Sequence, residues 1–328
     1  MNSEGFKKSR VYLRNDGSPE FNRFDLYEKQ EQERIGPKSP ELLEALRKID
    51  FSLLKVIFAE HIVRSGMSYA GMNFLPSKRI KELSRSEVDK THKGVYDFAA
   101  NIIIFYKDRI IEMAKSTGLS FDLCVLYLLV HEEGHAISKT ICQGFYEKDG
   151  QVKVGYSEMK QKSQEELPQI SYLMFEEGVN ELLTISVLEE YLDRQDNLGN
   201  EETFALRKIL EKINPDFSRY VLQVNFVKEL VIRLSKETDL SPETIWQAIL
   251  RGKIEGASLH DEEIRREFAE VFGSDFLDKL SRINQIDQVD ELSQLMNEVM
   301  GENHDSSHPN FPFLDSEIKK WAEKSSAS

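Results

Sequence analysis

Residues 120–144 read SFDLCVLYLLVHEEGHAISKTICQG, and the way this stretch folds governs how the rest of the chain is read. Ser120 is a residue type that caps helix N-termini, and Gly144 one that ends helices in the left-handed conformation. The spacing predicts a single helix between them. Its first half is apolar on every side, so it is expected to lie in the core and not on the surface. Inside it stands His131-Glu132-Glu133-Gly134-His135. Positions i and i+4 project from one face of a helix, so both imidazoles can converge on one ion. Zinc accepts neutral imidazole nitrogen, and a catalytic zinc takes three protein ligands while keeping a fourth position for water. Glu132 would lie beside that water, able to take its proton and return it to a leaving amine. Two histidines and two glutamates inside a buried helix are costly without such a purpose. A surface helix that shows HEEGH by accident is the bland alternative, and the apolar run before the motif argues against it.

Toward the N-terminus, GVYDFAANIIIFYKDRI (from Gly94 toward Ile111) is rich in β-branched and aromatic residues and reads as a strand or hairpin, with Asp97 and Asn101 as turn residues. Earlier, Ser39-Pro40 opens a helical pattern through Leu42, Leu43, Leu46, Ile49, Leu53 and Leu54. His61 closes this stretch and reads as a core or interface residue, not a ligand. Residues 1–40 are polar, carry Gly17, Pro19, Gly36 and Pro37, and read as a flexible arm. Toward the C-terminus, Glu147 to Glu166 suits a loop or short hairpin. Pro168 then opens a helix, PQISYLMFEEGVNELLTISVLEEYLD. Residues 198–300 are helical in pieces separated by Asn214-Pro215, Ser241-Pro242 and Gly256, and 301–328 read as a mobile tail. His304 and His308 in that tail precede Pro309 without a helical pattern and do not read as a metal pair. The expected organisation is α+β and predominantly helical: an arm (1–40), a motif-bearing domain (41–197), a helical region (198–300) and the tail.

HEEGH behind a β segment and ahead of Phe175-Glu176-Glu177-Gly178-Val179-Asn180-Glu181 resembles the zincin metallopeptidases, specifically the gluzincin branch. The resemblance spans roughly residues 75–195. It implies a zincin-like core: a small sheet before the motif helix, whose edge strand binds the peptide, and a later helix that supplies a glutamate as third zinc ligand. On this pattern Glu177 is the ligand and Glu181, one turn on, orients a histidine from behind; the reverse assignment stays open, because Asn180-Glu181 is another form of the same pattern. Gly178 is expected to let this helix pack closely against the motif helix. A third histidine at metzincin spacing is absent, since none follows His135 until His260. The sequence departs from the family at Glu133, where a hydrophobic residue is usual, so an extra acid near the site could alter metal affinity. Tyr127, Tyr146, Tyr156 and Tyr172 are candidates for a donor to the developing oxyanion.

Composition narrows the setting. With 43 Lys+Arg against 57 Asp+Glu the formal net charge is −14, and no dense basic patch offsets it, so nucleic acid is not an expected partner. No apolar stretch follows the basic residues near the N-terminus, so no secretory signal is read there. The longest apolar run, Leu123 to Val130, falls far short of the roughly 20 residues a membrane span needs. Cys124 and Cys142 both fall on the expected motif helix, too far apart to meet, and a cytoplasmic location is expected. The expected activity is therefore hydrolysis of a peptide or protein substrate by a zinc metallopeptidase holding one Zn²⁺. The alternative is a non-catalytic, metal-stabilised or degenerate binding protein, with residues 201–300 as its partner surface. A scaffold has no need of Glu132, so that residue favours the enzyme.

Overall fold

The computed structural model describes residues 10–14, 17–19, 22–84, 92–144, 150–160, 169–195, 206, 220–285 and 288–300. The tail, Tyr146 and Pro168 lie outside the described residues. The fold is α+β and predominantly helical, with two small mixed sheets.

The motif helix, α5 (Phe121–Ala136), is capped by Ser120, whose hydroxyl accepts the Leu123 amide at 3.3 Å. Every residue from Leu123 to Val130 is buried, as an all-round apolar helix requires. It is enclosed by α2 (Pro40–Lys48), α4 (Lys107–Thr117), α6 (Leu173–Arg194) and a three-stranded sheet. That sheet has the order β2 (Ile80–Leu83), β4 (Ile102–Tyr106), β3 (Gly94–Asp97), so β3 is an edge strand. β2 runs parallel and β3 antiparallel to β4. The β3–β4 turn forms as its residues suggest: Asp97 Oδ1 accepts the amides of Ala99 and Ala100 at 2.9 Å, and Asn101 takes φ 55°. The strand does not continue to Ile111. From Lys107 the chain is helix α4, which buries Ile110 and Met113 on one face.

Two further boundaries differ from expectation. The motif helix stops at Ala136, well before Gly144, and Thr140–Gln143 form β5. β5 is the second strand of a five-stranded sheet ordered β1 (Arg10–Leu13), β5, β6 (Gln151–Val154), β7 (Ser157–Lys160), β8 (Gln169–Ser171). The β-branched Thr140 and Ile141 find ladder partners on both sides here, which outweighs a helical continuation. Cys142 therefore lies on a strand, opposite Tyr12 and Val152, and not on the helix with Cys124. Part of the expected arm is also ordered: β1 pairs in parallel with β5, Tyr12 is buried, and α1 (Asn22–Glu33) follows. The stretch after Pro168 starts as β8, and α6 begins only at Leu173, after Tyr172 at φ 60°.

The C-terminal helices are α7 (Val221–Thr238), α8 (Pro242–Glu255), α9 (Glu262–Phe272), α10 (Phe276–Arg282) and α11 (Val289–Met300). One hydrophobic cluster joins them to the motif helix, running from Leu42 to Val299. α6 packs on α5 with one face and on α7 with another. Gly178 serves the second contact: a Cβ there would stand 2.7 Å from the Gln223 carbonyl oxygen on α7. The close approach to the motif helix depends instead on Gly134, where a Cβ would run into Asn180 Oδ1. Among the described residues, no single helix is long and apolar enough to cross a membrane.

Candidate metal centre

α5 and α6 cross so that the HEEGH turn faces the first turns of α6. Asn180, fully buried, locks the crossing by donating Nδ2 to the His131 carbonyl at 2.8 Å. This places the Glu177 carboxylate between the two imidazoles: Oε2 lies 3.4 Å from His131 Nε2 and 3.4 Å from His135 Nε2. One donor atom from each of the three residues falls within 4.8 Å of the others. Donors held about 2.0–2.1 Å from one tetrahedral zinc stand roughly 3.3–3.4 Å apart. The two spacings measured here match that edge.

The chemistry of the set also fits a cation. Glu177 Oε2 is buried without a hydrogen-bond partner, an expensive state unless a positive charge faces it. Burial raises the Glu177 pKa, but the two histidines outweigh it and hold the carboxyl well below its ordinary value. Burial in turn disfavours charge on His131, yet Glu177 and Glu181 reverse the sign and lift it well above its ordinary value. His135 is lifted in the same way, chiefly by Glu177 against burial. These directions pair charged imidazoles with an ionised Glu177, and a dication entering would displace imidazole protons.

A carboxylate lies behind each histidine. His131 Nδ1 meets Glu181 Oε2 at 2.8 Å, and Tyr127 donates its hydroxyl to Glu181 Oε1 at 2.6 Å. His135 Nδ1 lies 3.5 Å from Glu176 Oε1. Of the two acids left open by the sequence, Glu177 thus lies among the Nε2 atoms and Glu181 behind His131.

Glu132 points into the cavity that this cluster shares with β3. The cavity, about 210 Å³, is lined by Gly94, Val95, Tyr96 and Phe98 on one side and by Val154, Ser157 and Leu173 on the other, with His92 and Tyr220 also contributing. Gly94 makes room for the acid, since a Cβ there would come within 3.1 Å of Glu132 Oε1. Burial raises the Glu132 pKa, and the neighbouring histidines only partly oppose it. Glu133 faces away: both its oxygens accept the Leu75 amide, at 3.2 and 3.1 Å, and it does not line the cavity. Among the described residues, a wider surface cleft of about 520 Å³, lined by Arg282, Asn284, Gln285, Gln288 and Glu291, holds no comparable set of ligands, so the smaller cavity is the candidate site.

None of the described tyrosines singled out from sequence reaches this cavity. Tyr127 serves Glu181, Tyr156 donates to the Ile249 carbonyl at 2.7 Å, and Tyr172 packs its ring on His260. The cavity has Tyr220 instead, its ring parallel to His131 within 2° at a centroid distance of 5.6 Å. No periodicity near Tyr220 marks it, because its place is set by how α7 packs on α6. Glu176 was the nearest miss, one position from the ligand candidate. His61 pairs with Glu190 at 3.2 Å. Comparison with protein-family models, curated proteins and solved structures finds no match to this chain.

Proposed function

We propose that this protein is a zinc-dependent metallopeptidase of gluzincin type, with His131, His135 and Glu177 as metal ligands and Glu132 as general base. The observation that carries the reading is that Glu177 Oε2 stands at tetrahedral-edge spacing from both Nε2 atoms, beside a buried carboxyl in the same cavity. Bound zinc would polarise a substrate carbonyl and acidify a water to a pKa of about 7. Glu132 takes the proton of the attacking water and returns it to the leaving amine, a task suited to a carboxyl whose pKa is raised. Among the described residues no strand pairs with the outer edge of β3, which offers backbone groups to an extended peptide. Val95, Phe98, Val154 and Leu173 give the cavity an apolar wall, which favours an apolar substrate side chain next to the cleaved bond. Tyr220 and His92 take the oxyanion-donor role in this scheme. A cytoplasmic setting belongs to the proposal, supported by two buried, unpaired cysteines.

The rival, a metal-stabilised binding protein, would keep the ligands and have no use for Glu132 in the cavity. Metal analysis of wild type, His131→Ala and Glu132→Gln, combined with cleavage of an unbiased peptide library read by mass spectrometry, separates the two. Wild type should hold one zinc and cleave; His131→Ala should lose the metal. Glu132→Gln should retain zinc and lose about 10²–10⁴-fold in rate. A Glu132→Gln protein that cleaves as fast as wild type sinks the mechanism.

A further inference from the structure

Residues 198–300 carry no catalytic motif, yet α8 sends a charged side chain into the heart of the molecule. Lys253 is fully buried, and its ammonium donates to Glu176 Oε1, the oxygen 3.5 Å from His135 Nδ1. The other Glu176 oxygen accepts the Tyr156 amide at 2.9 Å. The surroundings are shaped for this pair. Gly155, at φ 56°, sits where any Cβ would collide with the Glu176 carboxylate, and Gly252, next to Lys253, leaves room for the Tyr156 hydroxyl. Backbone bonds from Lys139 to the Ile254 carbonyl at 2.9 Å and from Gly155 to the Lys139 carbonyl at 3.2 Å tie α8 to the segment just after the motif helix.

A buried ion pair is a poor way to gain stability, because apolar side chains of the same volume usually serve as well or better. Its position suggests why charge is kept. The carboxylate behind each histidine has its own donor: Tyr127 fixes Glu181 behind His131, and Lys253 fixes Glu176 behind His135. A ligand histidine needs its rear nitrogen held so that the tautomer and ring direction suit the metal. We propose, building on the metal-centre reading above, that Lys253 is a positioning residue for zinc: it anchors Glu176, which aims His135, so the C-terminal helices complete the metal centre.

The test is zinc affinity of the full-length chain, measured by competition with a chromophoric chelator, with far-UV circular dichroism to confirm folding and the visible spectrum of the cobalt-substituted protein to report ligand geometry. Lys253→Met and Glu176→Gln should each weaken zinc binding about 10–100-fold and perturb the cobalt bands. Combined, they should weaken it no more than the worse single change, because both act through one contact. A folded Lys253→Met protein that binds zinc as tightly as wild type overturns the proposal, as does a double variant whose loss is the sum of the singles. Should Lys253→Met fail to fold, Lys253→Met/Glu176→Gln leaves no unpaired buried charge and carries the decision: weakening of tenfold or more supports the role, and wild-type affinity refutes it. A wild-type chain that binds no zinc at all would instead overturn the metal-centre reading beneath it.

Discussion

The two ends of α6 carry similar letters and live in different worlds. Near its start, FEEGVNE supplies Glu176, Glu177 and Glu181; near its end, LEEYLDR supplies Glu190, Asp193 and Arg194. At the first end Glu176 and Glu181 are almost wholly buried, and the acids converge on two imidazoles. At the second, Glu190 sits near the surface, shares Arg64 and Arg194 with Glu60 on α3 (Phe51–Arg64), and also pairs with His61. A solvated acidic face is the right description of one end and the wrong one for the other. What decides is the neighbour each end packs on. Permanent cations surround the far end, whereas Glu177 faces only histidines and is left with an unsatisfied oxygen. That unsatisfied oxygen is one of the observations behind the proposed metal site.

Removing Glu177 should sharpen the contrast most. Glu177→Gln keeps the volume and deletes the charge, so zinc measured by inductively coupled plasma mass spectrometry should fall from one equivalent to background. Glu181→Gln acts one step back and should cost only about 10–100-fold in affinity, since outer partners orient ligands without binding the ion. Equal losses from the two variants would erase the distinction between ligand and support. Gly178→Ala comes next in size. Its Cβ would press on the Gln223 carbonyl, and backbone cannot swing aside as a side chain can. Destabilisation of about 1–3 kcal/mol, read by urea unfolding, is expected. A neutral outcome would mean that α6 and α7 are not held as closely as described.

These contrasts also explain what could be read beforehand. The proposed ligands His131 and His135 and the proposed base Glu132 were legible because they lie within one helical turn or at i, i+4, and helix geometry is local. The β3–β4 turn was legible for the same reason, with Asp97 and Asn101 closing it within a few residues. Glu177 was within reach because it repeats that spacing with Glu181, although choosing between them needed the crossing of α5 on α6. Lys253 and Tyr220 were out of reach: each is far away in sequence and carries no pattern, and only tertiary packing brings it to the histidines. Gly178 shows the limit plainly. Its smallness signalled a close approach, but not which helix approaches. The end of the motif helix was misjudged because ISKTICQ can extend a helix as well as form a strand, and only the presence of β1 and β6 settles the choice.

The smallest effect is expected at the far end of α6, through pH. Burial pushes the Glu190 pKa up, but its pairing with His61 and the hydrogen bond from Arg64 more than reverse this, holding it at about 2 against an ordinary 4.5. A carboxyl lowered in the folded state contributes stability that is fully present above its unfolded value and fades as pH falls toward its folded one. The contribution of Glu190 should therefore be constant near neutrality and disappear between about pH 4.5 and about 2. Because the network is partly exposed and screened by solvent, its size should stay below about 1 kcal/mol. Chemical denaturation of wild type and Glu190→Gln, both stripped of metal, should show a small gap at pH 6 that narrows below about pH 4.5 and closes as pH falls to about 2. A gap that widens on acidification would mean that Glu190 is strained by its neighbours, and the two ends of the helix would then differ in degree and not in kind.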